Sequence, residues 1–495
     1  MKQTEKWYVG YFFTINSIIG AGILAIPWAY CTAGWALGIT CQIVILILSY
    51  SASYLMLSLW SRTHAIVDLI ESGVSVSKVQ FKDIFSADSS KNYIDSENEI
   101  DDIKPLIENR HFDLYEMIKL TISPFMSKFL VIAYIFAQTP ALAGYFSVFA
   151  ISLSSNVPIL GFTCNLYDYD SFFNECRVLY WAYMTIFAAF LIFLAFFDIT
   201  EQRWMQGTLT LFRFLVIAIF AVTTIYAIAS DSELEDDGNN NANPEIFNGK
   251  HIGRIFFILC FASLYENIIP TTMSFVENKS TNLPKVLNFA ILTFNGIYIL
   301  VGVLLCFALE DPEEMATLNW RDYSAGSSQS SRSWWTYIIA YIVVLLPALD
   351  ILSSFPIVCW NYSDNIMSIF HGHDSDRKND KSIRFMFRLS MILSSFMIAF
   401  FFYELGLILE ISGAFVLLLS GFFIPIGALA AQKIIKSKSE YDFKNNRLVA
   451  LTTIVFSVVM FEGAFKNNRL VALTTIVFSV FMFVGCFIFL GFSES

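Results

Sequence analysis

Long apolar runs separated by short polar segments are the dominant pattern along this chain. No charged side chain occurs between Trp7 and Ser61, and comparable runs recur towards the C terminus. A helix needs about 20 consecutive apolar residues to cross the hydrocarbon core of a bilayer. Eleven runs are long and apolar enough to be predicted as transmembrane helices, numbered here as spans 1 to 11: Trp7–Tyr30, Trp35–Trp60, Phe129–Ser154, Val178–Phe197, Thr208–Ser230, Ile255–Val276, Val286–Leu309, Trp334–Trp360, Phe385–Tyr403, Leu405–Gln432 and Leu470–Phe492.

The pattern therefore predicts an all-α polytopic membrane protein, with one transmembrane domain over residues 1–495. Composition agrees, because the chain is 56% hydrophobic and 15% charged, whereas soluble domains are about one quarter charged. The net charge is −11, and no basic cluster indicates a nucleic-acid partner. The lipid bilayer is the expected environment.

The distribution of Lys and Arg orients the spans. With the N terminus in the cytoplasm, the inner loops hold 24 basic residues and the outer loops hold 5, as the positive-inside rule requires. Residues 61–118 then form a cytoplasmic loop and residues 231–252 an acidic loop on the other side. Both acidic segments are predicted to be solvated. Cys164 and Cys176 share an outer loop and are either a disulfide or two free thiols.

A near-perfect duplication lies close to the C terminus. The sequence FKNNRLVALTTIVFSV occurs at Phe443–Val458 and again at Phe465–Val480. The first copy is a short apolar run followed by Glu462, so we expect it to lie at the inner interface or to extend the last helix. Residues 443–492 then form a C-terminal helix that contains the duplicated segment.

Two spans carry residues that interrupt helices. Gly20, Ala21 and Gly22 lie near the centre of span 1, with Pro27 beyond them, and span 6 contains FASLYENIIP, which ends at Pro270. Glycine and proline are unfavourable inside helices, and broken backbone at membrane depth is tolerated only inside protein or beside a cavity. The alternative is a tightly packed interface of small residues. Interrupted helices at corresponding places in two halves favour a transporter's central site.

At these segments the sequence resembles the amino acid/auxin permease family of the amino acid–polyamine–organocation superfamily. The resemblance lies in NSIIGAGILAIPWAYCTAG (Asn16–Gly34), FASLYENIIPTTMSFVENKSTNLPKVL (Phe261–Leu287) and ISGAFVLLLSGFFIP (Ile411–Pro425). It implies two inverted five-helix repeats, 7–230 and 255–432, as in leucine-transporter-like folds, with spans 1 and 6 broken. It also implies secondary active transport of amino acids by alternating access, coupled to H⁺ or Na⁺ and without a cofactor.

The candidate substrate site is built around the two breaks. Freed N–H groups at a half-helix N terminus favour a carboxylate, and the break in span 6 would help to hold the amino group. Tyr145 in span 3 is a candidate donor to the carboxylate, or else a packing residue. The backbone and side-chain candidates are Ile19, Gly20, Ala21, Gly22, Ala262 and Ser263.

Glu266 is the most unusual single residue, because a carboxylate within a membrane span is rare and costly. It is predicted to pair with the substrate amine or to take the coupling proton. The structural alternative is an ion pair, for which Arg213 in span 5 is the candidate partner. Both residues lie within apolar runs.

Four residues are candidates for coupling the ion. The resemblance implies a cation site between span 1 and span 8, for which Asn16, Ser353 and Ser354 provide hard oxygen ligands; ordinary interhelical hydrogen bonds are the alternative. Asp350 is either a proton site or a packing charge. All four lie in or beside the predicted spans.

Two further functional classes compete with transport. A sensor would bind an amino acid with little flux and signal through loop 61–118. An enzyme is disfavoured, because all five histidines fall in loops and no nucleophile–base pair is evident. The membrane is expected to be the plasma membrane or a vacuolar or lysosomal membrane.

Overall fold

The computed structural model describes residues 5–85, 93–94, 104–108, 110, 112–122, 124–158, 163–168, 174–196, 203–230, 245–309, 312–325, 332–371 and 381–467. Within these residues the protein is helical, with isolated β-bridges but no strand. Nine helices are long and apolar enough to cross a membrane, and a bent pair of helices adds a tenth span. The polytopic all-α fold is therefore confirmed. The predicted span 11, Leu470–Phe492, lies outside the described residues.

The described spans coincide with the first ten predicted ones. Spans 1 and 6 each consist of two helices, and span 10 contains a π-helical turn at Leu419–Phe423. The helix bounds in order of the spans are Trp7–Ile18 and Gly22–Ala33, Trp35–Glu71, Pro124–Asn156, Glu175–Leu194, Arg203–Ser230, Ile252–Ser263 and Ile269–Met273, Lys279–Ala308, Trp334–His371, Lys381–Phe401, and Leu405–Leu418 and Ile424–Ile434.

Both predicted interruptions are present. The two halves of span 1 meet at 56° around Ile19–Ala21. Gly20 and the adjacent Gly22 make a continuous helix less stable here, because glycine loses the most conformational freedom on folding. Span 6 ends its first half at Ser263 and continues through a 3₁₀ turn at Glu266–Ile268. Pro270 lies in the first turn of its second half, a position where a proline costs no helical hydrogen bond.

Spans 1 and 6 are joined by backbone hydrogen bonds at both ends. The N–H of Glu5, before span 1, donates to Phe275 O at 2.9 Å, after the second half of span 6. At the other end, Asn248 N donates to Ala33 O at 2.7 Å and Trp35 N to Glu245 O at 3.2 Å. The start of each span thus meets the end of the other, so the two run antiparallel. The inverted repeat itself stays a prediction.

We call the side of the bundle that carries Glu5 the N-terminal face. The segment between spans 2 and 3 lies on this face and is partly helical, which corrects the prediction of a loop over residues 61–118; most of its acidic residues lie outside the described residues. Span 2 continues to Glu71, and a short helix, Leu114–Thr121, packs against the bundle with Leu114, Met117 and Ile118 buried. Apolar side chains within the acidic segment explain the packing. On the opposite face, a disulfide joins Cys164 and Cys176, whose Cα atoms are 5.6 Å apart.

The first copy of the duplication forms a helix, Asn446–Asn467. It packs beside the middle of span 10, where Ser457 fills the space that a side chain at Gly421 would need. Phe456 and Phe461 contact Phe256 and Phe415 at ring-centroid distances of 5.9 and 5.5 Å. This position differs from the predicted inner interface, while the alternative that it extends the last helix involves residues outside the described ones. The second copy lies almost wholly outside the described residues.

A buried ion pair fastens span 2 to the segment that follows span 10. The Arg62 guanidinium donates to Asp442 Oδ1 at 2.9 Å and to the carbonyl of Ile435 at 3.2 Å. The side chains of Arg62 and Asp442 are 0% and 5% exposed. Burial opposes ionisation of Asp442, but the hydrogen bonds and charge of Arg62 prevail and hold its pKa below the ordinary 3.8.

Asp442→Asn is expected to destabilise the protein by about 3 kcal/mol, because it leaves the buried Arg62 charge without its carboxylate. Thermal unfolding in detergent measures this as a lower melting temperature. The folded pKa of Asp442 lies below its unfolded value, so the contribution is present at neutral pH and is lost as the pH falls through the folded pKa.

The matched control is Glu71→Gln, which breaks the exposed pair between Glu71 and Arg110. Exposed pairs contribute at most about 1 kcal/mol. Equal shifts for the two variants would contradict a structural role for the buried pair.

Candidate functional site

The breaks in spans 1 and 6 face each other at close range. A Cβ added at Gly22 would lie 2.9 Å from the Cβ and 3.0 Å from the Cα of Ala262. A Cβ added at Gly20 would lie 2.6 Å from the hydroxyl of Tyr145. Of the predicted substrate residues, the structure therefore brings Gly20, Gly22, Ala262 and Tyr145 together. Glycine is required at position 22 because the backbone of span 6 comes so near.

The break in span 1 exposes backbone donors. Ile23 N and Leu24 N bond back to Gly20 O and Ala21 O at 3.3 and 3.2 Å. No backbone partner is found within the described residues for the N–H groups of Ala21 and Gly22, which begin the second half-helix. These groups carry the positive end of the half-helix dipole. The arrangement suits a small anionic group.

Tyr298 of span 7 joins the two breaks. Its hydroxyl lies 3.1 Å from Ala262 O and 3.4 Å from Ile18 O, two carbonyls released where the helices end. The side chain is completely buried. The sequence analysis missed this residue, since a tyrosine in an apolar run has no local feature that distinguishes a bridging role from packing.

A largely apolar cavity opens beside the break in span 1. It holds about 710 Å³ of empty space including its open side, and is lined by Gly20 and Ala21, by span 5, by span 8 and by Thr317 of the segment between spans 7 and 8. Among the described lining residues, Arg213 is the one that carries a charge. Pockets of a few hundred cubic ångströms with few polar groups are typical of small-molecule sites.

Arg213 connects three spans behind this cavity. Its guanidinium donates to the carbonyl of Asn16 at 2.8 Å and to the hydroxyl of Ser354 at 2.9 Å. Asn16 and Ser354 are two of the residues predicted to bind a coupling cation. The positively charged guanidinium of Arg213 lies between them. The Asn16 amide oxygen is buried without a hydrogen bond of its own. The side chains of Asp350 and Ser353 lie outside the described residues.

Glu266 is completely buried, but it does not line the cavity. Its Oε1 accepts a hydrogen bond from Ser49 of span 2 at 2.7 Å. Ser420, in the π-turn of span 10, lies close to the same carboxylate without a hydrogen bond to it. No cationic partner of Glu266 is found among the described residues, so the proposed pair with Arg213 is replaced by contacts with spans 2 and 10.

Ser263 is likewise directed away from span 1. Gln42 donates to the Ser263 hydroxyl at 3.1 Å and to Asn295 Oδ1 at 2.5 Å. The Ser49 hydroxyl lies 3.4 Å from the Ser263 carbonyl. Side chains of span 2 thus contact both the hydroxyl and the carbonyl of Ser263, and its contact with the substrate amine stays a prediction.

The opposite face of the site is closed by the segment between spans 7 and 8. Trp320 stacks on Phe220 at 4.1 Å and donates to Thr223 at 2.9 Å. Glu314 accepts a hydrogen bond from Gly406 N at 3.1 Å, and burial raises the pKa of its carboxyl above the ordinary value. These contacts hold the segment over the cavity.

A second contact on this face involves Glu410 of span 10. Its carboxylate lies 3.6 Å from Arg254 Nε, and the Arg254 guanidinium lies 5.4 Å from the Trp28 ring of span 1. Glu410 of span 10 is therefore connected to spans 6 and 1 through Arg254.

Comparison with known proteins agrees with this geometry. The chain matches the family described as "Transmembrane amino acid transporter protein" over residues 3–467. The chain belongs to this family. The match ends at the last residue of the helix formed by the first copy of the duplication.

Its relatives include proteins named only by their membrane character. "Transmembrane protein 104" of Mus musculus is 20% identical over 435 residues, which cover 82% of this chain and 84% of the relative. The homologue of Drosophila melanogaster is 21% identical over 449 residues, with the same two coverages. That of Caenorhabditis elegans is 23% identical over 375 residues, with coverages of 73% and 68%.

Gly22→Ala is expected to reduce amino acid uptake at least about tenfold. A methyl group at position 22 would lie 2.9–3.0 Å from Ala262 and would force the two breaks apart. In a preorganised site, a misplacement of about 1 Å lowers the rate by far more than tenfold. The measurement is uptake into proteoliposomes, with the melting temperature recorded alongside.

Gly296→Ala in span 7 is the matched control, since a Cβ there meets nothing within 4 Å. It should leave uptake unchanged. A Gly22→Ala protein that transports as well as this control would refute the requirement for close approach of the breaks.

Proposed function

We propose that the protein is a secondary active transporter of amino acids that works by alternating access and is coupled to H⁺. The observation that supports this most directly is the pair of facing breaks beside a cavity, in a chain that belongs to an amino acid transporter family. The segment between spans 2 and 3 covers the breaks on the N-terminal face, and the segment between spans 7 and 8 covers them on the opposite face. Alternating access would open these two segments in turn.

The substrate carboxylate is assigned to the break in span 1. The N–H groups of Ala21 and Gly22 and the nearby Tyr145 hydroxyl are hydrogen-bond donors, and the half-helix dipole adds a favourable positive end. Hydrogen bonds to a charged acceptor are about twice as strong as neutral ones. The apolar remainder of the cavity is assigned to the substrate side chain.

Arg213 favours H⁺ over Na⁺ as the coupling ion. Its guanidinium already bonds to Asn16 O and Ser354 Oγ. Two unit charges about 4 Å apart repel by about 4 kcal/mol at an effective dielectric constant of 20. A sodium ion between spans 1 and 8 would have to overcome this repulsion, whereas a proton can be taken up elsewhere by a buried carboxylate.

Glu266 is the proposed proton carrier. It lies in the turn of the span 6 break, so a change in its charge acts where that span must move. Glu266 is completely buried, its contacts are with the neutral Ser49 and Ser420 side chains and nearby backbone, and no cationic partner is found among the described residues, so burial favours its neutral form. Asp350 stays a second candidate on the basis of sequence alone.

A sensor is the second candidate function. It is favoured by the segment between spans 2 and 3, whose helix Leu114–Thr121 lies against the bundle close to Asn267 in the span 6 break. Movement at the break would reach this segment directly. A sensor would show ligand-dependent thermal stabilisation without appreciable flux.

The deciding experiment is uptake of a labelled amino acid mixture into proteoliposomes under an imposed pH gradient, an imposed Na⁺ gradient or neither. We expect accumulation with the pH gradient and no added effect of Na⁺. Accumulation that requires Na⁺ would contradict the role given to Arg213. Absence of flux with retained ligand-dependent stabilisation would instead establish the sensor.

Glu266→Gln is expected to abolish accumulation driven by the pH gradient while substrate exchange across the membrane is retained, because glutamine cannot release a proton. Uptake at several external pH values measures both effects. Glu410→Gln is the control carboxyl variant and should retain gradient-driven accumulation. Unchanged saturable accumulation in Glu266→Gln would remove Glu266 from the mechanism.

A further inference from the structure

The segment between spans 2 and 3 contains a compact element that we call the cap helix, Leu114–Thr121. Asp113 and Glu116 form a capping box at its start, which satisfies the first N–H groups of so short a helix. At its end, Val79 N donates to Thr121 O at 3.0 Å, and Val79 and Ile122 form a parallel β-bridge. The helix is therefore built independently of the bundle.

The cap helix packs its apolar side against the N-terminal face. Leu114, Met117 and Ile118 are each less than 5% exposed. Ile118 Cδ1 lies 2.6 Å from the position that a Cβ at Gly427 would occupy in span 10. The contact is made through three apolar side chains of one short helix, so it can separate as a unit.

Basic side chains of the bundle hold the rest of the segment by its backbone. Lys279 of span 7 donates to Glu108 O at 2.6 Å, and Arg447 donates to Phe85 O at 3.0 Å. Lys433 of span 10 donates to Asp83 O. All three attachment points precede the cap helix, which itself rests on the bundle through apolar contacts.

A pocket with both polar and apolar walls, the latter including Leu130 and Val131, lies directly beneath the cap helix. Leu114 and Tyr115 form one wall, and Tyr134 of span 3, Asn267 of the span 6 break and Asn365 of span 8 form the others. The pocket has about 300 Å³ of empty space including its open side. It lies on the N-terminal side of the break, and so between the substrate site and that face.

The polar groups in this pocket are donors. Asn267 is only 8% exposed, and its Nδ2 lies close to the Tyr134 hydroxyl without a full hydrogen bond to any of the described residues. The Tyr134 hydroxyl accepts from Asn365 Nδ2 at 3.0 Å, which leaves its own proton to be donated. Two buried donors directed at one space call for an acceptor, such as a carboxylate or a water molecule.

We propose that the cap helix is the lid of the transport path at the N-terminal face, and that Asn267 and Tyr134 form an exit subsite that receives the substrate carboxylate when the lid lifts. The inference rests on the proposed function for its ligand. Both donors are neutral and the charge of Asp113 acts on the Tyr134 hydroxyl, so the subsite holds the carboxylate weakly enough to release it. The lid itself is defined by packing alone and is tested separately.

The lid is tested with Asn267→Cys as a reporter, in a protein whose cysteines outside the disulfide are replaced by serine. The rate of labelling by a membrane-impermeant methanethiosulfonate, added at the N-terminal face of oriented vesicles, is measured with and without Ile118→Ala. We expect labelling to be at least about tenfold faster with Ile118→Ala. Truncation of a buried isoleucine weakens the contact of the cap helix by more free energy than a tenfold change in the opening equilibrium requires.

Leu106→Ala is the matched control, since Leu106 lies in the same segment but is half exposed. It should leave the labelling rate unchanged. Equal rates in the Ile118→Ala and Leu106→Ala backgrounds would overturn the lid.

The subsite is tested by transport measured from each side with the amino acid found by uptake. Asn267→Ala and Tyr134→Phe should each raise KM severalfold for substrate presented at the N-terminal face and leave KM at the opposite face unchanged. Asn267→Asp should raise it further, because a carboxylate repels the substrate carboxylate. A merely structural role would change both faces together.

The outcomes separate the two claims. Lid-dependent labelling with an unchanged KM at the N-terminal face would make the pocket a water site and overturn the exit subsite. If the parent protein carries no amino acid, the proposed function fails and the exit subsite with it, while the labelling rates still decide the lid.

Discussion

The constraint on which this structure depends is that backbone hydrogen-bonding groups cannot be left unsatisfied in the interior of a membrane protein. Spans 1 and 6 both break at mid-membrane, which frees donors and acceptors in pairs. The Tyr298 hydroxyl lies within reach of a released carbonyl from each span, and Gln42 supports the break in span 6. Within the described residues the N–H groups of Ala21 and Gly22 have no backbone partner, and Ala21 lines the cavity. These N–H groups are therefore available to a ligand.

A second consequence concerns charge. The interior of the bundle contains a fixed cation, Arg213, and a fixed carboxyl group, Glu266, and the structure keeps them in different environments. Arg213 bridges spans 1, 5 and 8 beside the cavity, whereas Glu266 contacts spans 2 and 10 on the far side of the break. Separation of these groups leaves the carboxyl free to change its protonation state without breaking an ion pair. Under the proposed function, the side of span 6 that faces Arg213 serves the substrate and the side that carries Glu266 serves the proton.

Sequence alone predicted the parts that are determined locally. Ten spans follow from length and hydropathy, and the break in span 1 follows from Gly20 and Gly22, because these properties belong to short stretches of chain. The partners of polar side chains did not follow. Arg213 meets the carbonyl of a residue 197 positions away, and no local pattern encodes such a distance.

Contacts between residues far apart in the sequence also explain where the predictions from sequence had to be corrected. The acidic residues after span 2 suggested a solvated loop, but the buried side chains of Leu114 and Ile118 decide its position. Glu462 suggested that the first copy of the duplication was too polar for the bundle, yet Ser457 packs against Gly421. In both cases a few apolar or small residues outweighed the overall charge of the segment, and their effect appears only when the surface they meet is known.

The central claim is that the break in span 1 binds the amino acid through its carboxylate. The most direct measurement is an experimental structure of the protein in lipid with the amino acid identified by uptake. The account predicts density for the carboxylate against the N–H groups of Ala21 and Gly22, with the side chain in the cavity beside Arg213. Density for the bound amino acid at any other position, with the break in span 1 unoccupied, would contradict it.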